Sequence, residues 1–219
     1  MLITTEQLVR FLGAAFLITI SPGPDVLATV SLGLSRGWRV AVGFGVGCGS
    51  GCLLHTLLAV LGVSALLRAS PVAFGALRLC GAGYLLWIGW GALRSRGVLR
   101  LPDAAGVCES VRGQSEDFTG LGWFRRGLLA NAVNPKVALF FLAFLPQFVE
   151  ESAGDRGLQL AVLGLVFTVN AVLVFSLVGF FSGRVGSLLQ GRAGVSKWLD
   201  RMTGVLFWGL AVRLLFVPI

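Results

Sequence analysis

The sequence predicts an all-α integral membrane protein, with six transmembrane helices forming two inverted three-helix halves and a proline break in the first helix of each half. Three observations predict it. Of the 219 residues, 56% are hydrophobic and only 13% charged, against roughly 25% charged in a soluble domain. Cutting the chain at every Asp, Glu, Lys and Arg leaves charge-free runs at 40–67 and 157–183, of 28 and 27 residues, each longer than the roughly 20 that cross a bilayer core. Two further apolar stretches contain the prolines of SPGP and NPK, which a membrane helix accommodates only by breaking or kinking. These features exclude an ordinary soluble protein, and the short connections leave no room for a separate enzymatic domain.

Hydropathy and charge place the spans near 8–34, 40–67, 73–93, 127–149, 158–183 and 202–217. The residues before the first span (MLITTEQ) carry no basic side chain, and SPGPD stands where a small-residue cleavage site would be. The first span is therefore expected to be a true helix and not a leader. The second is rich in glycine: Gly43, Gly47 and Gly51 fall on one helical face and Gly45 with Gly49 almost opposite, so that helix can be approached closely from both sides. No Gly-Lys-Ser/Thr follows these glycines, which excludes a phosphate-cradling loop.

Twelve Lys and Arg residues lie in the first, third and fifth connections and only two, Arg68 and Arg156, in the others. The bias predicts a cytoplasmic location for the odd connections and periplasmic termini. It also accounts for the net charge of +8 without a nucleic-acid partner. The polar, mixed-charge stretch 94–126 reads as a mobile cytoplasmic linker. It divides a single transporter domain, 1–219, into a first half (1–93) and a second half (127–219), and an odd number of spans per half inverts one against the other. Short internal likenesses agree: SPGPDVL with NPKVAL, and Arg78-Leu79-Cys80-Gly81 with Arg201-Met202-Thr203-Gly204.

Pro22, Pro24 and Pro135 lack the N–H that would bond the carbonyls of Ile18, Ile20 and Asn131, and each disfavours helical geometry in the residue before it. The first helix should break at SPGP and restart near Asp25, and the fourth should break at Asn134. Asp25 and Lys136 each lie nine residues from the cytoplasmic end of their span, about 13 Å deep at 1.5 Å per residue. Opposite charges at equal depth invite pairing, since an unpaired charge near mid-bilayer costs at least about 2.5 kcal/mol. Such a pair is either a fixed salt bridge or one that opens for a substrate or a proton. Arg10, Arg78 and Arg213 lie near the outer ends, where an arginine reaches the headgroups. His55, the sole histidine, is either a hydrogen-bonded core residue or part of a proton path, and its single occurrence excludes a multi-histidine metal site. Phe140, Phe144 and Phe148 make a stripe on the face of Lys136, as packing or as a wall for an apolar side chain. Asn170 and Gln147 are the remaining amides within spans. Cys48, Cys52, Cys80 and Cys108 form no Cys-x-x-Cys and read as small buried residues.

SPGPDVL, the glycine-rich second helix, Gly81-Ala82-Gly83-Tyr84-Leu85, Phe124-Arg125-Arg126-Gly127, Asn131, Asn134-Pro135-Lys136 and Phe144-Leu145-Pro146-Gln147-Phe148 together resemble the LysE/RhtB family of bacterial amino-acid exporters over nearly the whole chain. The resemblance implies a six-helix inner-membrane protein that exports amino acids or close derivatives by proton antiport; no cofactor is expected. It directs attention to Pro22, Gly23, Pro24, Asn134, Pro135, Lys136 and Gln147. Asp25 departs from relatives that carry an uncharged polar residue such as Asn there. Joined to the residue reading, the expected substrate site is Pro22, Gly23, Pro24, Asp25, Asn131, Asn134, Pro135, Lys136 and Gln147, with Asp25 and His55 as candidates for proton coupling. The expected partners are the substrate, protons and the bilayer; the glycine faces are compatible with a homo-oligomer as well. Competing readings are an inorganic cation exporter, disfavoured by the lack of clustered ligands in the spans, and a membrane thiol oxidoreductase, disfavoured by the cysteine spacing.

Overall fold

A computed structural model of the chain describes residues 2–63, 70–95, 120–150, 153–184 and 193–216. Most of the expected linker, with Cys108, lies outside them. Every regular element among the described residues is helical. Helix α1 spans Thr5–Ile20, α2 Pro24–Arg36, α3 Trp38–Leu58, α4 Pro71–Arg94, α5 Gly120–Ala132, α6 Pro135–Leu139, α7 Arg156–Phe180 and α8 Ala193–Phe216. A wide π turn, Ala59–Val63, extends α3, and α6 continues as a π turn, Phe140–Phe144, and a 3₁₀ turn, Leu145–Phe148.

Local chemistry sets the helix starts. Thr4 and Gln7 form a reciprocal capping box at α1, and Ser70, Asn134 and Asp155 accept backbone N–H groups at the starts of α4, α6 and α7. Pro24, Pro71 and Pro135 occupy first-turn positions where no N–H is missed. Between α2 and α3 the chain turns at Gly37, whose φ of +91° favours glycine.

Three helices are long and apolar enough to cross a bilayer: Trp38–Gly62, Val72–Arg94 and Arg156–Phe180. Two bent pairs qualify together, α1 with α2 at 53° and Gly120–Ala132 with Pro135–Phe148 at 54°, giving up to five spans. The expected break at SPGP with restart near Asp25 is observed, with α2 starting at Pro24, and the second break falls at Val133 and Asn134. Two expectations need correction. Hydropathy starts the fourth span near residue 127, yet α5 begins at Gly120; Trp123 is buried and carries the guanidinium groups of Arg36 and Arg126 over its ring at 5.1 and 5.0 Å, which anchors this basic turn. Hydropathy sets the sixth span near 202–217, whereas α8 starts at Ala193. Its apolar part, 202–216, is short and includes Arg213, so length and composition do not distinguish it as a span.

Helix α3 lies between α5 and α7, and its two glycine faces are the reason. A methyl group on Gly47 would strike the carbonyl of Phe124, and one on Gly127 the carbonyl of Phe44. On the other face, a methyl on Gly45 or Gly49 would come within 2.9 or 2.6 Å of the backbone of Phe175 or Val172. The backbones touch through these positions, as close-packed membrane helices do. Helices α4 and α8 pair separately: Gly89 and Gly204 face each other's carbonyls, Trp90 stacks on Trp208 at 6.1 Å, and the Ser95 hydroxyl donates to Asp200. Helices α1 and α2 pack on α7 and α3, which brings both broken helices against the α3–α7 core.

Candidate functional site

The two breaks meet inside the bundle, with Asp25 and Lys136 buried at 5% and 7% exposure. They do not form the direct ion pair expected from their equal depth. Each is held instead by a neutral group from the opposite break. Lys136 Nζ donates to the Ser21 carbonyl at 2.9 Å and to the Ser21 hydroxyl at 2.7 Å, while Asp25 Oδ2 accepts from the Asn131 side-chain amide at 2.8 Å. The charges remain within electrostatic reach of one another. This exchange satisfies both without joining them, and hydrogen bonds to charged groups contribute about 1.5–3 kcal/mol each.

Proline chemistry explains why these groups stand ready. The Ile18 carbonyl, deprived of a helical donor by Pro22, accepts from the Ser21 hydroxyl at 3.0 Å. The Asn131 carbonyl, deprived by Pro135, accepts from the Asn134 backbone N–H at 2.9 Å and from His55 Nε2 at 3.0 Å. Gly23 leaves room for the ammonium, because a methyl group there would stand 3.2 Å from Lys136 Nζ. Phe207 of α8 presents its ring to that ammonium at 5.6 Å, a cation–π contact.

A cavity of about 20 Å³ lies between the breaks, lined by Gly23, Asp25, Asn131, Asn134 and Lys136 on its polar side; its volume is about that needed for one water molecule. Its apolar wall includes Ile18, Val26, Val137, Phe140, Phe167 and Phe175. The structure thus brings together five of the nine expected site residues at the cavity, while Pro22, Pro24 and Pro135 lie at the two breaks and are not among its lining residues. Gln147 stands apart in the 3₁₀ turn, its amide oxygen and nitrogen buried without a hydrogen-bond partner. His55 lies behind the wall, and Cys52, one turn earlier on α3, lines the cavity and contacts Asn131 Oδ1 at 3.7 Å.

Beyond the cavity, toward Phe148, the aromatic stripe is buried. Phe140 packs on Phe167 at 5.0 Å and Phe11 on Phe148 at 5.2 Å, while Arg213 sits 4.5 Å above the Phe148 ring. Only Phe140 of the stripe lines the cavity. The chain just past it is tied by two buried amides: Gln7 donates to the Phe148 carbonyl, and Gln159 exchanges hydrogen bonds with the backbone of Glu150 at 2.9 and 3.0 Å. Asn170 links α7 to α1 through Thr19 at 3.3 Å. Arg10 pairs with Glu6 at the surface, a contact worth little energetically.

Ser21 is the site residue that the sequence reading missed as a ligand. The signal for it is a hydroxyl directly before Pro22, at the point where the helix must break.

Two broken helices that exchange ligands for buried charges, within a bundle of bilayer-length helices, define a multi-pass membrane protein with a polar site at depth. The chain belongs to the LysE type translocator family, which it matches over residues 15–217. It is 34% identical over 206 residues to an uncharacterized membrane protein of Pseudomonas aeruginosa, covering 93% of this chain and 91% of that one. It is 30% identical to the leucine efflux protein of Enterobacter sp. (strain 638), covering 91% and 90%, and 28% identical to the homoserine/homoserine lactone efflux protein of Salmonella typhimurium, covering 93% of each. No solved structure matches the chain.

Proposed function

We propose that this protein exports an amino acid or close derivative across the bacterial inner membrane by proton antiport, with alternating access to the site between the two helix breaks. The observation that carries the reading is the exchange of ligands: one ammonium and one carboxylate, buried side by side, are each held by a neutral placeholder. A zwitterion brings the complementary pair. Its carboxylate would take the place of Ser21 at Lys136, assisted by the N-terminus of α2, which has no side-chain cap. Its ammonium would take the place of Asn131 at Asp25. The names of the efflux relatives supply the direction.

The six-span inverted arrangement belongs to the same proposal. Helix packing supports it: α3 pairs with α7 and α4 with α8, second helix with second and third with third. The two breaks bend by nearly the same angle. In this frame α8 is the sixth span and the termini are periplasmic. The 20 Å³ cavity is then an occluded state, sealed toward the outside by the phenylalanine cluster and by the Gln7 and Gln159 ties, and Gln147 lies on the exit route. Asp25 is the coupling carboxylate, which takes up a proton when the substrate ammonium leaves it.

Inside-out vesicles test this directly. Labelled leucine and homoserine should accumulate when the vesicle interior is acidified, and a protonophore should abolish accumulation above equilibrium while leaving exchange. Accumulation that survives the protonophore would exclude proton antiport, and failure of any amino acid or derivative to enter would overturn the export reading.

A further inference from the structure

We infer that His55 is a positioning residue that holds Asp25 through Asn131, and that it is not the proton carrier of the transport cycle. The inference rests on the export reading above. A backbone carbonyl cannot donate, so the 3.0 Å contact between His55 Nε2 and the Asn131 carbonyl requires the proton on Nε2 and fixes the ring's orientation. That carbonyl is the one Pro135 leaves without its helical donor. The Asn134 N–H occupies one of its two acceptor sites, and the imidazole fills the other.

The consequence reaches the site through one residue. Asn131 is fully buried; its backbone is gripped by His55, and its side-chain amide donates to Asp25 Oδ2 at 2.8 Å. His55 itself is 3% exposed, packs beside Phe141 with ring centroids 5.7 Å apart, and does not line the cavity. A substrate seated between Asp25 and Lys136 would not touch it. The titratable groups that do face the cavity are Asp25 from α2, Lys136 from α6 and Cys52 from α3. In the other half, the Ser21 hydroxyl performs the same service for the Ile18 carbonyl. His55 is thus the counterpart of Ser21, a donor placed where proline removed one.

The two roles separate under substitution. Glutamine presents an amide N–H at about the reach of Nε2 but cannot carry a proton. In inside-out vesicles supplied with labelled leucine and homoserine, His55→Gln should insert normally, keep exchange and acid-driven accumulation within about threefold of the unmodified protein, and leave the pH profile unchanged. His55→Leu, which removes the donor, should lose both activities by tenfold or more, with the glutamine variant as its rescue. A glutamine variant that exchanges but no longer accumulates against a gradient would identify His55 as the proton carrier and overturn the inference. So would a glutamine variant that fails to insert or loses both activities, or a leucine variant that transports normally. The unmodified protein in the same vesicles separates this inference from the export reading: if it moves no amino acid or derivative from a labelled panel that includes leucine and homoserine, the export reading has failed, whereas normal transport by it with either aberrant variant condemns the role of His55 alone.

Discussion

Lys136 and Ser21 are joined twice: the lysine ammonium donates to both the carbonyl and the hydroxyl of one serine, at 2.9 and 2.7 Å, across 115 residues of sequence. The serine stands in the first helix break and the lysine in the first turn after the second, so this contact fastens the breaks together. Asn131 and Asp25 make the reciprocal fastening. Ser21→Ala should keep the protein in the membrane but remove one of the two ligands. With about 1.5 kcal/mol assigned to the lost bond, the apparent affinity for substrate should change by roughly tenfold, as measured by concentration-dependent uptake; unchanged affinity would mean that the hydroxyl is incidental.

Asp25→Asn and Lys136→Gln should each abolish accumulation, because each leaves the other charge buried without its long-range partner. The double variant should insert at least as well as either single one, which quantitative immunoblots of membranes would show. Two active single variants would contradict mutual dependence.

Gly23→Ala places a methyl group 3.2 Å from the ammonium and 3.4 Å from Lys136 Cδ, close enough to displace the lysine by a few tenths of an ångström. Transport should fall several-fold with membrane levels unaltered. Retention of full transport would show that the lysine yields freely.

Gly47→Ala and Gly127→Ala should instead destabilise the bundle, because each methyl would meet a backbone carbonyl of the facing helix and neither helix can rotate it away. Gly13→Ala and Gly83→Ala meet nothing within 4 Å and serve as controls. Thermal unfolding in detergent should separate the pairs by several degrees; equal melting temperatures would remove these contacts as the basis of α3 packing.

The proposed topology rests on the 12 to 2 distribution of basic residues. With single cysteines at positions 3 and 104 in a cysteine-free background, an impermeant thiol reagent on intact cells should label Ile3→Cys and spare Ala104→Cys. The opposite pattern would invert the assigned orientation.

The sequence was most informative where backbone chemistry is decisive. Proline cannot donate, so both breaks and a restart near Asp25 are legible, and a two-residue glycine period shows that α3 can be approached from two sides. Equal depth points to direct pairing of Asp25 with Lys136, but depth says nothing of azimuth or of competing ligands. Ser21 and Asn131 reach the charges first because the same breaks deliver them there. Helix starts at Gly120 and Ala193 were obscured by charged residues, which mark the end of an apolar stretch and not the end of a helix.

The neutral sum of the site has an electrical consequence. In their ionised forms Asp25 and Lys136 cancel, and a zwitterionic amino acid carries no net charge either, so carrying it between the two faces moves no net charge through the membrane field. A membrane voltage does work of about 2.3 kcal/mol per elementary charge per 100 mV, and in the proposed antiport it has only the exchanged proton to act upon. An imposed potassium diffusion potential should therefore leave amino-acid exchange unchanged and alter only net, proton-driven flux.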